Sequence, residues 1–111
     1  MKARITFSGT VVFDQTDGQA MIVESGREFS IKLFDNVPPG LIPGSTADKV
    51  LRIREMPENL LEVEATSVGV SRIIYLDEND AVVFRLLIDV RSSEEAGSLS
   101  FSPGTEEDLP S

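Results

Sequence analysis

The 111-residue sequence contains no cysteine, no histidine and no tryptophan. Without cysteine no disulfide staples the fold, so buried apolar surface must hold it together. Without histidine, Ser-His-Asp and Cys-His nucleophile systems and the usual zinc sites are excluded. Aromatic residues make up 6% of the chain, and Tyr75 is the single tyrosine. Basic residues are also few: 10 Lys and Arg stand against 19 Asp and Glu, for a net charge of −9. Nucleic-acid binding needs cations to neutralise phosphates, and an anionic membrane surface repels an acidic chain. The acidity favours solubility and basic partners. Long hydrophobic runs are missing too. Arg85 interrupts the most apolar stretch, Ala81 to Ile88, and nothing approaches the ~20 apolar residues of a membrane helix. Met1-Lys2-Ala3-Arg4 is positive, but Ile5 to Phe13 alternates with Thr6, Ser8, Gly9 and Thr10. That is a strand pattern and not the apolar core of a signal peptide.

What remains is enough for one domain. The apolar fraction is 41%, and a chain of this size buries roughly two-thirds of its unfolded surface. Alternation of period two dominates, and no 3.6-residue pattern holds over a helical length. Arg4–Phe7 and Thr10–Phe13 read as a hairpin, or as one long strand bent at Gly9. Asp17-Gly18 is a turn pair. Gln19–Glu24 and Arg27–Leu33, joined by Ser25-Gly26, read as a second hairpin with one solvated face. Val50–Arg54 and Leu60–Thr66 flank a turn at Met56–Asn59. Arg72–Leu76 and Ala81–Arg91 flank the polar reversal Asp77–Asp80. In the last strand Val82, Phe84, Leu86, Ile88 and Val90 share one face.

Asp35–Thr46 holds three prolines and two glycines. Proline cannot donate to a ladder, so no central strand runs here, and the segment reads as a long crossing loop. Leu41 and Ile42 within it either plug an end of the core or form an exposed contact. They are the candidate partner-binding residues, since long loops on rigid frames often carry recognition. From Ser92 the chain is rich in Ser, Glu, Gly and Pro. It reads as a flexible acidic tail over 92–111, with Leu99 and Phe101 able to add a weak edge strand. Seven or eight antiparallel strands over 1–91, at turn spacings near ten residues, point to an all-β sandwich or barrel.

Leu61 to Val90 carries a resemblance. Leu61–Thr66 is a strand, Gly69 precedes Ser71, Arg72–Leu76 alternates, an acidic turn follows, and the last strand ends at Val90. This resembles the C-terminal half of bacterial immunoglobulin-like domains, and is similar to the N-terminal β-domain of pilus-associated secretins. Arg27–Leu33 matches the earlier strand after a glycine. The resemblance implies an Ig-like β-sandwich, an extracytoplasmic location, a protein partner in adhesion or assembly, and no catalytic residues. Independently of it, Gly69 sits where the chain must turn sharply to cross between sheets, which glycine tolerates.

Three constellations qualify as candidate sites. Asp77, Asn79 and Asp80 group oxygen ligands as calcium loops do, but the glycine and distant glutamate of such a loop are absent, and a hairpin turn explains these residue types more simply. Glu62 and Glu64 lie two apart on one strand and point the same way, unlike the opposed carboxyls of a glycosidase. Arg52 and Arg54 share a face in the same manner and are placed to pair with them across strands. Gly40–Gly44 lacks the lysine and helix of a phosphate loop. No acid–base or nucleophile set is visible, so neither catalysis nor a cofactor is expected. The leading expectation is a non-catalytic interaction or spacer domain of a bacterial surface or envelope assembly. A carbohydrate- or ligand-binding domain and a structural part of a phage or secretion particle are the alternatives.

Overall fold

A computed structural model describes residues 1–7, 11–92 and 101–105. Among these residues every regular element is a strand: β1 Lys2–Phe7, β2 Val11–Gln15, β3 Gln19–Glu24, β4 Glu28–Phe34, β5 Ile42–Ser45, β6 Leu51–Met56, β7 Leu60–Ala65, β8 Gly69–Leu76, β9 Val82–Arg91 and β10 Phe101–Thr105. They form two five-stranded sheets, which we call A (order β2-β1-β4-β7-β6) and B (order β10-β3-β9-β8-β5). The inward residues of both sheets meet in one core. Ile5, Ile31, Leu61 and Val63 come from sheet A, and Val23, Ile73, Phe84 and Ile88 from sheet B. Phe7 stacks on Phe29 at 5.0 Å in one half, and Tyr75 meets Phe84 edge-on at 6.1 Å in the other. The chain is an all-β sandwich, as the alternating apolar positions require.

Several local expectations need correction. β3 and β4 do not pair with each other. Ser25-Gly26 carries the chain from sheet B to sheet A, and its backbone is pinned to both: the Ser25 amide donates to Arg91 O and the Gly26 amide to Ala65 O, each at 2.8 Å. β3 instead runs parallel to β9, in register from Ala20–Leu87 to Glu24–Arg91. Below that ladder the Asp17-Gly18 turn continues the pairing. Asp17 Oδ1 accepts from the Arg85 amide, and the Gly18 amide donates to Arg85 O, both at 2.9 Å. In the segment expected to be flexible, the edge strand allowed for at Phe101 does form, as β10 pairs antiparallel with β3. Pro103 suits this edge position. Leu99 and the acidic residues 106–108 lie outside the described residues.

β1 and β2 form the expected hairpin, as do β6 with β7 and β8 with β9. A register shift where Tyr75 opposes Phe84 but Leu76 opposes Val82 leaves Val83 as the extra residue. This bulge reverses the alternation. Val82 is therefore exposed and Val83 packs on the core, which corrects Val82's place on the inward face. The crossing loop after β4 does pass from sheet A to sheet B, and its proline-bearing strand β5 is an edge. Gly69 opens β8 just after the crossing from β7. Its φ is +152°, and a Cβ there would stand 2.8 Å from Val50 Cγ2. Both the backbone angle and the close approach require glycine.

Candidate functional site

The antiparallel ladders of sheet A place its polar residues in rows across the outer face. Thr6, Ser30, Glu62 and Arg54 stand opposite one another from β1 to β6, and Glu28, Glu64 and Arg52 form the adjacent row. Together they line a shallow concavity of about 460 Å³. Arg52 Nη1 reaches Glu64 Oε1 at 3.9 Å, with both side chains well exposed. Glu64 thus sits between a like charge, Glu28, and an opposite one. Such a directly opposed pair of carboxylates is unfavourable in a sheet, and the arginine offsets it. The cross-strand pairing expected from sequence is what places Arg52 against Glu64 and Arg54 against Glu62. Further along the face Arg4 pairs with Asp14 at 3.2 Å and covers the Phe34 ring at 4.7 Å.

The acidic turn is organised by its own backbone. Asp77 Oδ1 accepts from the Asn79 amide at 2.8 Å and from the Ala81 amide at 3.0 Å. Asp80 takes a φ of +62°, a conformation that Asp tolerates. Among the described residues no group of three or more acidic side chains is placed to hold a metal ion. Of the acids that another loop could bring alongside, Asp14 pairs with Arg4, Asp17 accepts from the Arg85 amide, and Asp35 accepts from the Asn36 side chain. Leu41 and Ile42 part company. Leu41 packs on the core, whereas Ile42 begins β5 with 57% of its surface exposed.

A second cavity was not legible in the sequence. It opens between the two sheets, beside the edge strands β5 and β6, and has a volume of about 260 Å³. Pro43, Met56, Pro57 and Leu60 line it, with Glu55 and Glu58 exposed beside it and Tyr75 among its walls. Tyr75 is buried, and its hydroxyl has no hydrogen-bond partner. Burial, and then the charge of Glu55, push the phenol well above its ordinary pKa. The hydroxyl therefore stays protonated, able to donate and to accept. Glu55 reaches this place because it stands opposite Leu61, on the core-facing register of an edge strand. A sequence reading by alternation assigns that position to the interior and gives no reason for a carboxylate there. Comparison with family models, curated proteins and solved structures finds no match.

Proposed function

We propose that the chain is a non-catalytic interaction domain that holds or spaces other proteins in a bacterial surface or envelope assembly. The observation that supports this most is the concave outer face of sheet A. Seven polar side chains from four strands stand there in two registered rows, on a backbone fixed by continuous ladders. Exposed pairs of this kind contribute little to stability, so their charges remain available to a complementary surface, where they set specificity and encounter rate. The resemblance of Leu61–Val90 to bacterial immunoglobulin-like domains points the same way. The described aromatic rings favour this over a carbohydrate platform. Phe7, Phe29, Tyr75 and Phe84 are buried, and Arg4 lies over Phe34.

The test is a comparison of wild type with Arg52→Glu/Arg54→Glu, each crosslinked to its surroundings in the cells of origin. An amide spectrum first establishes that the variant is folded. A partner captured by wild type and lost by the variant supports the reading. Identical partners from both, or none from either, would remove the face from the proposal.

A further inference from the structure

The cavity beside Tyr75 combines three features that match one kind of occupant. Its walls mix polar surface with apolar surface from Pro43, Met56, Pro57 and Leu60, and its volume of about 260 Å³ lies just below the ~300–1,000 Å³ typical of pockets for drug-sized ligands. That suits a single side chain. Two exposed carboxylates, Glu55 and Glu58, stand beside it, on a chain whose net charge is −9. One of its wall residues, Tyr75, carries a buried hydroxyl without a partner. Buried polar groups are nearly always paired, and an exception in a native structure calls for an explanation.

We infer that this cavity is a socket for one arginine side chain of a basic protein partner. The aliphatic stem lies along the proline, methionine and leucine walls, where long cationic side chains favour apolar contact. The guanidinium donates to Glu55 at the mouth and, once the wall yields to expose it, to Tyr75 Oη, which is closed to solvent in the free chain. Guanidinium suits the place because its several donors sit in a planar fork and it is weakly hydrated. The raised pKa of Tyr75 is consistent with this, since a neutral phenol accepts such a bond without adding charge. The socket is separate from the charged rows of sheet A, and the inference stands whether or not that face binds a partner.

Tyr75 is the only tyrosine and there is no tryptophan, so tyrosine fluorescence reports this cavity alone. The experiment titrates the folded full chain with N-acetyl-L-arginine amide, and in parallel with the uncharged isostere N-acetyl-L-citrulline amide. Fluorescence and amide resonances are followed together. Saturable arginine binding with shifts centred on residues 55–61 and 75, about tenfold tighter than citrulline, is the expected result; tenfold is the effect of one charge-assisted contact. Glu55→Gln should remove most of that preference. Tyr75→Phe keeps the ring and should fold. Followed by the Met56 and Leu60 resonances, it should bind severalfold more weakly. Equal response to both amides, shifts centred away from the cavity, or unchanged binding by both variants would overturn the inference.

Discussion

On sheet A the outward positions of β1, β4, β7 and β6 carry Arg4, Lys32, Glu62, Glu64, Arg52 and Arg54. On sheet B the outward positions of β3, β8 and β9 carry Ala20, Ile22, Ile74, Leu87 and Asp89 towards the middle of the face, with exposed Val70, Arg72 and Arg85 towards its ends. The first set is largely exposed, whereas Ala20, Leu87 and Asp89 are buried and the two isoleucines half-buried. The ion pairs follow the same division. Arg52–Glu64 spans 3.9 Å with side chains 76% and 42% exposed, while Arg91–Asp89 spans 2.9 Å with 20% and 11%. Sheet A is an antiparallel layer wet on one side. Sheet B has at its centre a strand buried on both faces and paired in parallel with β3, as parallel pairing usually demands. Stability therefore concentrates on β9, and the freedom to change sequence concentrates on the outer face of sheet A.

The largest expected effect breaks that central strand. Phe84 is buried from β9 against Tyr75. Phe84→Ala should destabilise the domain by about 3–5 kcal/mol in denaturant unfolding, through lost burial and the cavity left behind. A loss below about 1 kcal/mol would mean that β9 is not the centre of the core. Next is Asp89→Ala, which leaves the Arg91 guanidinium largely buried beside a vacated position. A loss of about 2 kcal/mol is expected, because removing one partner of a desolvated pair strands the other. Unfolding indistinguishable from wild type would erase the distinction between the two ion pairs.

The same division decides what was legible in the sequence. On sheet A the strands β4, β6 and β7 alternate cleanly apart from Glu55, so their inward and outward residues follow from period two, and the Arg–Glu rows follow from the hairpin between β6 and β7. On sheet B three things hide the answer. β9 is apolar on both faces for much of its length, its bulge at Val83 reverses the pattern, and its partner β3 is more than 60 residues away in sequence. Ser25-Gly26 has the composition of a hairpin turn and serves as a crossing between sheets. Turn chemistry fixes a local reversal and says nothing of which sheet receives the next strand. The Tyr75 cavity was hidden for a related reason. It is formed by β5, the β6–β7 turn and β8, and only the packing of one sheet on the other brings them together.

Tyr75 offers a smaller effect with a sign of its own. Its hydroxyl is buried and unpaired, so Tyr75→Phe should raise stability by roughly 1 kcal/mol by removing that unmet group. The phenol's pKa in the folded chain is raised above the ordinary value of 10.0, first by burial and then by Glu55. The unfolded chain releases this proton near pH 10 while the folded chain still holds it. The contribution is thus fully present below about pH 10 and fades as the pH climbs above it. Lysines also titrate in this range, so the informative quantity is the difference between wild type and Tyr75→Phe. Their stabilities should diverge further above about pH 10, measured by thermal unfolding at stepped pH. Parallel curves would show that the hydroxyl is hydrated or paired in solution.

The smallest expected effect is on the exposed rows of sheet A. Arg52 and Glu64 each keep much of their surface in water, and their charged atoms are separated by 3.9 Å. A double-mutant cycle of Arg52→Ala and Glu64→Ala should give a coupling below about 0.5 kcal/mol, decreasing with added salt. Glu64→Ala alone should lose even less, because it also removes the unfavourable neighbour of Glu28, its directly opposite residue on β4. The two contributions oppose each other, so the single variant measures their balance and the cycle isolates the attraction. A coupling above about 1 kcal/mol, insensitive to salt, would make the rows structural in the way that Asp89–Arg91 is. They would then be held for the fold and not for a partner, and the case for an interaction surface on sheet A would fail on stability data alone.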